Sequence, residues 1–423
     1  MSPGVHTSVD SARPHVKKTL TRHDAGAAPL RVFNLEPIGG RGPMYLFDVA
    51  FFGALARHNL DLVWVTCDET EGDPRGYELW TPWQGIYGDA PAWRRGLRYA
   101  RGLWAVLRRA RRAARHSRVV LHQQFVQVPF LDLLFVLAAR RCGIPCVLDP
   151  HDVRPYADVS HGAALLPVLY RQYDALIVHS RVGRDELATL LPRSVPSITM
   201  IPLGHLNDAY ATDAALDRTE ARKRLGLRDT DSVILFLGQI KREKGLEYLL
   251  RALPAVAAQL PAVRLIVAGR PYHDDVAFYE HLIDSLGISA HVQKRWEYVP
   301  NDELGRYYRA ADVVALPYTR VYQSGVVLTA YAFQRPVVAS AVGGLTEQVA
   351  DGETGWLVPP ADPAALAEAL AAALRDRHRA DAMGARGHQW AAEMFDWDVI
   401  ARETVSVYEL VSRQRVRAGG GAW

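Results

Sequence analysis

The sequence predicts an α/β protein built from two doubly wound, Rossmann-like domains that face each other across a cleft. Three observations predict it. At 423 residues the chain exceeds the size that one hydrophobic core usually serves. Short β-branched runs alternate with longer segments of helical spacing, which implies parallel strands joined by crossover helices. This alternation occurs twice, on either side of a polar, charged stretch from Asn207 to Asp231.

Residues 1–29 read as a disordered, polar tail. The first series starts with the strand Arg31-Val32-Phe33-Asn34-Leu35, a loop from Pro37 to Pro43 and a helix through Ala56. Strands follow at Leu62–Val65, Val119–Leu121, Cys146–Leu148, Ala175–Val178 and Ile198–Ile201, closing a first domain over 30–206. After a linker at 207–231 the second series has strands at Val233–Leu237, Arg264–Ala268, His291–Gln293, Val313–Leu316 and Pro336–Ala339. Helical spacing fills Glu247–Gln259, Asp275–Leu286, Asp302–Ala310 and Val326–Phe333 between them. This domain spans 232–394, a terminal helix 395–412 and a tail 413–423. In such folds ligands sit at the carboxyl ends of the strands, here in the cleft between the domains.

Composition narrows the class. Apolar residues make up 49% and charged residues 23%, the balance of an ordinary globular protein, and a net charge of +4 does not argue for nucleic acid. Three scattered cysteines, Cys67, Cys142 and Cys146, form neither a disulfide framework nor a metal pair. Val128 to Ala139 is too short for a membrane span and, closed by Arg140 and Arg141, reads as a buried helix. The N-terminal stretch has no apolar h-region, so a cytoplasmic location is expected.

Four strand-to-helix loops can meet a diphosphate. Ile38-Gly39-Gly40-Arg41-Gly42 lacks the dinucleotide G-x-G-x-x-G spacing, but its glycine pair lets backbone approach a ligand, and a tight turn is the other reading. Gly238 to Gly245 carries Lys241, Arg242 and Lys244 at a strand's carboxyl end, suited to an anion or simply solvated. Gln323-Ser324-Gly325 opens an apolar helix, leaving amides and a positive dipole end for a phosphate, or serving as an ordinary serine cap. Gly343-Gly344 and Glu347 form the fourth.

In combination, these motifs resemble retaining glycosyltransferases of family 4, with the two-domain architecture called GT-B. The matching pieces run in order from Phe236 to Pro359: Gly238…Lys244-Gly245, Asp312 to Tyr318, Gln323-Ser324-Gly325, Pro336 to Glu347, and Asp351 to Val358. The first half is similar more loosely, at Pro145 to Asp152 and Ile201 to Gly204, and Phe395-Asp396-Trp397 resembles the start of the helix that crosses back. The resemblance implies a nucleotide-sugar donor, of UDP or GDP type, and a hexosyl transfer to a saccharide, lipid-linked or secondary-metabolite hydroxyl. It assigns Lys244 with a second cation to the diphosphate, the amides after Gln323-Ser324-Gly325 to its phosphates, and Glu347 to the nucleotide end. Gly39 and Gly40 would approach from the other domain, and His151 or His122 would touch the sugar. The chain departs from the pattern at Gln239, where an arginine is common and Lys241 is the substitute. It departs again at Val321 and Thr329, which replace the two carboxylates of the E-x7-E pair; Thr329 leaves one hydroxyl for the ribose.

Cations and a helix terminus stabilise a leaving diphosphate without a metal, and no carboxylate cluster at metal spacing accompanies these motifs, so no metal or other cofactor is expected. His122, His151 and Asp152 are the candidates for catalysis, against packing histidines and a turn-forming aspartate. Arg94 to Arg118 holds ten arginines and no acid, interleaved with Trp93 and Trp104, and reads either as a solvated face or as a peripheral contact with an anionic membrane. Two other functions fit the same motifs: an epimerase-like sugar-nucleotide enzyme, or a silent sugar-nucleotide binder.

Overall fold

The computed structural model describes residues 30–41, 44–68, 70, 76–154, 163–191, 197–210, 216–272 and 275–419. The tail at 1–29 lies outside them. The first domain runs β1 (Leu30–Leu35), α1 (Tyr45–Leu55), β2 (Leu60–Cys67), β3 (Glu78–Trp83), α2 (Ala92–Ala113), β4 (Arg118–Gln123), α3 (Pro129–Arg141), β5 (Cys146–Leu148), α4 (Leu166–Tyr170), β6 (Ala175–Val178), α5 (Arg181–Leu190) and β7 (Ser197–Met200). Its strands pair in parallel in the order β3-β2-β1-β4-β5-β6-β7. The chain order reverses between β1 and β4, so the loops leaving these two strands part to opposite sides and open a crevice at their carboxyl ends. The edge strand β3 is an addition to the sequence reading; its Pro82 is tolerated there because an edge strand has one unpaired side.

The second domain comprises α6 (Arg218–Arg224), β8 (Ser232–Leu237), α7 (Leu246–Gln259), β9 (Val263–Ala268), α8 (Val276–Ser285), β10 (Val292–Arg295), α9 (Leu304–Ala310), β11 (Val313–Leu316), α10 (Gly325–Ala332), β12 (Val337–Ser340), α11 (Leu345–Gln348), β13 (Gly355–Val358), α12 (Pro363–Arg375) and α13 (Arg377–Met394). The sheet order is β10-β9-β8-β11-β12-β13, again parallel.

Three sequence expectations change. The segment 207–231 is not a bare linker: it contains α6, capped by Asp217, whose carboxylate accepts the Glu220 amide at 2.8 Å. Arg222 on this helix is 1% exposed and donates to Asp312, directly before β11, at 2.9 Å. Helix α14 (Trp397–Gly419) continues well beyond Leu410. Helix α3 is not wholly buried. It packs Phe135, Val136 and Ala139 inward, while Phe130 and Leu134 stand 57% and 49% exposed.

Helix α14 lies on the first domain. Arg57 pairs with Asp398 at 2.5 Å and Arg118 with Glu409 at 2.7 Å. The Trp397 indole donates to the His205 carbonyl at 2.7 Å and packs so closely on Gly204 that a Cβ there would lie 2.2 Å from its ring.

Candidate functional site

The loop after β8 is shaped by two glycines. Gly238 has φ 130°, and Gly245 has φ 65° with its Cβ position only 1.9 Å from the Pro317 carbonyl oxygen, so a side chain is excluded there. Between them the Lys241 ammonium lies 4.9 Å from the Tyr272 ring centroid and that of Lys244 3.8 Å from Tyr318. Burial pulls the Lys241 pKa down, partly offset by the charge of Asp152 across the cleft. The Thr319 amide donates to the Glu243 carbonyl at 2.9 Å, and the Cβ position of Gly238 is 3.6 Å from Val326. The lysine loop is thus fastened beside the start of α10, as expected for loops leaving the neighbouring strands β8 and β11.

At that start Ser324 is buried, and its hydroxyl neither caps the helix nor bonds another protein atom. Its backbone is held instead by Gln348, whose Oε1 accepts the Ser324 amide at 2.8 Å and whose Nε2 donates to the Ser324 carbonyl at 3.2 Å. No side chain caps the first turn of α10, so its amides remain available to an anion. Thr329 points elsewhere: its hydroxyl donates to the Gly325 carbonyl at 2.9 Å, inside the helix. Glu347 accepts the Arg181 amide through both oxygens, at 2.9 and 3.2 Å, and so tops α5 of the other domain. Gln323 donates to the His151 carbonyl at 2.9 Å, and Tyr322 donates to Glu186 at 2.5 Å, which also pairs with Arg154 at 2.8 Å. These contacts join the two domains beside a cavity of about 380 Å³ that includes His179, Arg181, Gln323 and Glu347 in its wall.

On the facing domain, Glu36 directly follows β1. Its carboxylate accepts the amides of Ile38 at 2.9 Å and Gly39 at 2.8 Å, which folds the glycine turn. Gly39 has φ 63°, and a Cβ there would meet Thr70 at 2.3 Å; Gly40 sits half-buried in the same turn. Burial pushes the Glu36 carboxyl up to about 7. The sign follows: between its ordinary 4.5 and about 7 the native state binds more protons than the unfolded chain, so stability falls as pH rises through that interval. Glu36→Gln should flatten this slope, as read by thermal melts from pH 5 to pH 8; equal slopes in both proteins would assign the effect to another group.

A smaller cavity of about 40 Å³ lies at the ends of β4, β5 and β6, against α1 and α14. His122 and His151 line it, and burial drives both imidazoles down to about 4, so both are neutral near pH 7. His122 Nδ1 lies 3.0 Å from the Asn34 amide nitrogen and 2.7 Å from the Tyr408 hydroxyl. Asp48, Asp149 and His179 share the lining. Burial, with the charges of Glu36 and Asp149, holds the Asp48 carboxyl well above its usual range. Asp152 is exposed on the other side of this loop, toward Lys241. The sequence reading missed Glu36, Asp48, His179 and Gln348. Glu36 and His179 each follow a strand, and Asp48 interrupts the apolar run Tyr45 to Phe52; those positions were the available signals.

Two parallel Rossmann-like sheets that meet across a recess define the GT-B architecture. A family model described as "Glycosyl transferases group 1" matches residues 217–390. A D-inositol 3-phosphate glycosyltransferase of Kineococcus radiotolerans is 34% identical over 67% of this chain and 70% of its own length. Its counterpart from Salinispora tropica is 31% identical, and the match covers 66% of this chain but 62% of the counterpart. A crystal structure of Anabaena Alr3699/HepE in complex with UDP-glucose superposes with a TM-score of 0.69 at 18% identity, covering 90% of this chain and 99% of that one. This chain belongs to the group 1 glycosyltransferases.

Proposed function

We propose that the protein moves a hexosyl group, with retention, from a UDP- or GDP-type sugar to a hydroxyl acceptor, and that Lys241, Lys244 and the first turn of α10 hold the donor diphosphate. The observation that carries this reading is the uncapped α10 terminus beside two lysines at adjoining strand ends. Cationic side chains and amides stabilise charge on the leaving diphosphate as the bond to the sugar breaks, with no metal required at that end. Glu347, engaged with Arg181, supports closure over the nucleotide; His122 and His151 face the sugar and acceptor side.

Melting curves with UDP, GDP, ADP and dTDP, alone and as sugar conjugates, test the base, since a ligand of the native state raises its melting temperature. Lys244→Ala should weaken binding of the preferred diphosphate by about 1.5–3 kcal/mol, the scale of a charge-assisted hydrogen bond. Unchanged calorimetric affinity would remove Lys244 from the site. Transfer to an added acceptor, with no epimerised donor, separates this reading from an epimerase or a silent binder.

We also propose a lipid-linked acceptor met at an anionic membrane surface. Helix α2 buries Tyr99, Leu103, Val106 and Ala110 and exposes Trp93 and Trp104 by 66% and 58%, and α3, which packs against α2, exposes Phe130 and Leu134. No helix among the described residues is long and apolar enough to cross a membrane. Arg109 belongs to the fold, pairing with Glu78 at 2.5 Å and lying over Trp80, whereas Arg108, Arg111 and Arg112 are exposed. Each cation near an anionic leaflet contributes about 1 kcal/mol, fading with salt. Wild type should therefore sediment with anionic liposomes at low salt, and the triple Gln variant at 108, 111 and 112 should not. Wild type that ignores such liposomes points to a soluble saccharide or secondary-metabolite acceptor instead.

A further inference from the structure

We propose that Asp149, His151 and His179 form a binding site for a first-row divalent cation, zinc foremost, at the floor of the first domain's cavity. The three residues come from two loops, after β5 and after β6, and spacing along the chain does not reveal them as a set. In the fold their ligand atoms all lie within 4.8 Å of one another. The Asp149 Oδ2 is 2.9 Å from His179 Nε2 and 3.9 Å from His151 Nε2. With metal–ligand bonds of about 2.0–2.2 Å, donor atoms of one ion stand roughly 3–4 Å apart, so only a small inward movement of the imidazoles completes the set.

The hydrogen bonds around the rings favour this use. The His179 Nδ1 lies 2.7 Å from the Ile201 carbonyl, which can only accept, so Nδ1 carries a proton. In the neutral ring Nε2 then turns its lone pair toward the Asp149 carboxylate, an arrangement that repels unless a proton or a cation lies between them. A backbone carbonyl bonded to the far nitrogen is also the support that metal-bound histidines commonly have. His151 is stacked on Phe125, with ring centroids 4.4 Å apart. The Gln323 amide reaches its carbonyl at 2.9 Å but its Nδ1 only at 3.5 Å, which leaves the ring's tautomer free. Asp149 Oδ1 and His151 Nε2 are buried and hydrogen-bond to no protein atom, whereas His179 Nε2 meets Asp149 Oδ2 at 2.9 Å, the position that a proton holds when no cation is bound. Groups so placed are costly to leave unmatched.

Two imidazoles and one carboxylate suit zinc or another first-row ion, and three protein ligands leave a coordination position open. His122 lines the same cavity. Its Nδ1 faces the Asn34 amide donor, so its Nε2 carries the proton and donates into the recess instead of serving as a ligand. The cation would therefore hold an oxygen ligand, water or a polyol hydroxyl, with an N–H donor beside it. This site is separate from the lysine loop and stands whether or not the donor binds as proposed above.

The test uses the full chain, stripped with a chelator and dialysed. Zinc chloride titrated calorimetrically should bind at one equivalent per chain, and cobalt chloride should give visible d–d absorption with nitrogen and oxygen ligation. His179→Gln should weaken zinc binding about a hundred-fold or more and erase the cobalt bands while keeping the wild-type far-UV spectrum. If that variant does not fold, His151→Gln serves in its place. Wild type that binds no stoichiometric zinc, or folded variants that bind it equally well, would overturn the site and leave Asp149 and His179 as an imidazolium–carboxylate pair.

Discussion

Asp312→Ala should cost about 3–5 kcal/mol of stability, the largest loss expected from a single change outside the apolar core. The Asp312 carboxylate is 4% exposed and accepts the Val233 amide at 2.7 Å and the Arg222 guanidinium at 2.9 Å. It also pairs with Arg218, and with Arg377 at 3.4 Å. Arg222 is held away from water: its Nε donates to the Ala310 carbonyl and its Nη1 to those of Asp229 and Asp231. Removing the carboxylate leaves a buried guanidinium beside two further cations and an unpaired amide at the start of β8. Asp312→Asn retains acceptors but not charge and should fall between the two. Denaturant titration decides: a loss under about 1 kcal/mol for the alanine variant would show that the arginines rearrange to solvent.

Gly325→Val should lower transfer about a hundred-fold or more, because even a small displacement of reacting groups costs that much. The residue has ordinary helical geometry, so the obstacle lies in what stands above it. A Cβ would lie 3.0 Å from the Phe47 ring of α1, on the opposite domain, and the branched methyls would fill the space over the first-turn amides. From the sequence alone the fold would stay largely intact, with a normal melting curve. Phe47 is buried, however, so its ring must shift, and a modest fall in melting temperature should accompany the loss. Activity within ten-fold of wild type would place the diphosphate elsewhere.

The contrast between Gly325 and Asp312 shows what was legible in advance. Both lie in motifs readable from residue types, and so do both sheets, because parallel strands buried on two faces announce themselves as continuous apolar runs: Val233–Leu237 is β8 nearly to the residue. The lysine loop and the α10 start were legible for the same reason, since each follows such a strand. Long-range partners were not. Nothing local to Arg222 says that it is buried, because its carboxylate partner is 90 residues away. Likewise Asp149, His151 and His179 gather only once β5 and β6 lie side by side, and Gln348 reads as an ordinary helical residue until Ser324 folds against it. The exposed face of α3 was misread because Asp132, the one charged residue between Val128 and Ala139, faces inward, so the stretch carries no polar mark of its solvent side.

The polar clasp between the domains has a kinetic consequence. Tyr322, Gln323 and Glu347 all reach across to the first domain by hydrogen bonds; the neutral Gln323 bond contributes about 0.5–1.5 kcal/mol net and each of the two that end on a carboxylate about 1.5–3 kcal/mol. A gate held by three such latches and no covalent tie opens on the microsecond-to-millisecond scale typical of hinge motion. With the diphosphate at the turn proposed above, which the latching residues adjoin, a spent nucleotide would leave through the same movement that parts them. Turnover would then be paced by departure and not by bond exchange. Loosening the Tyr322–Glu186 latch would speed release while weakening the hold on donor.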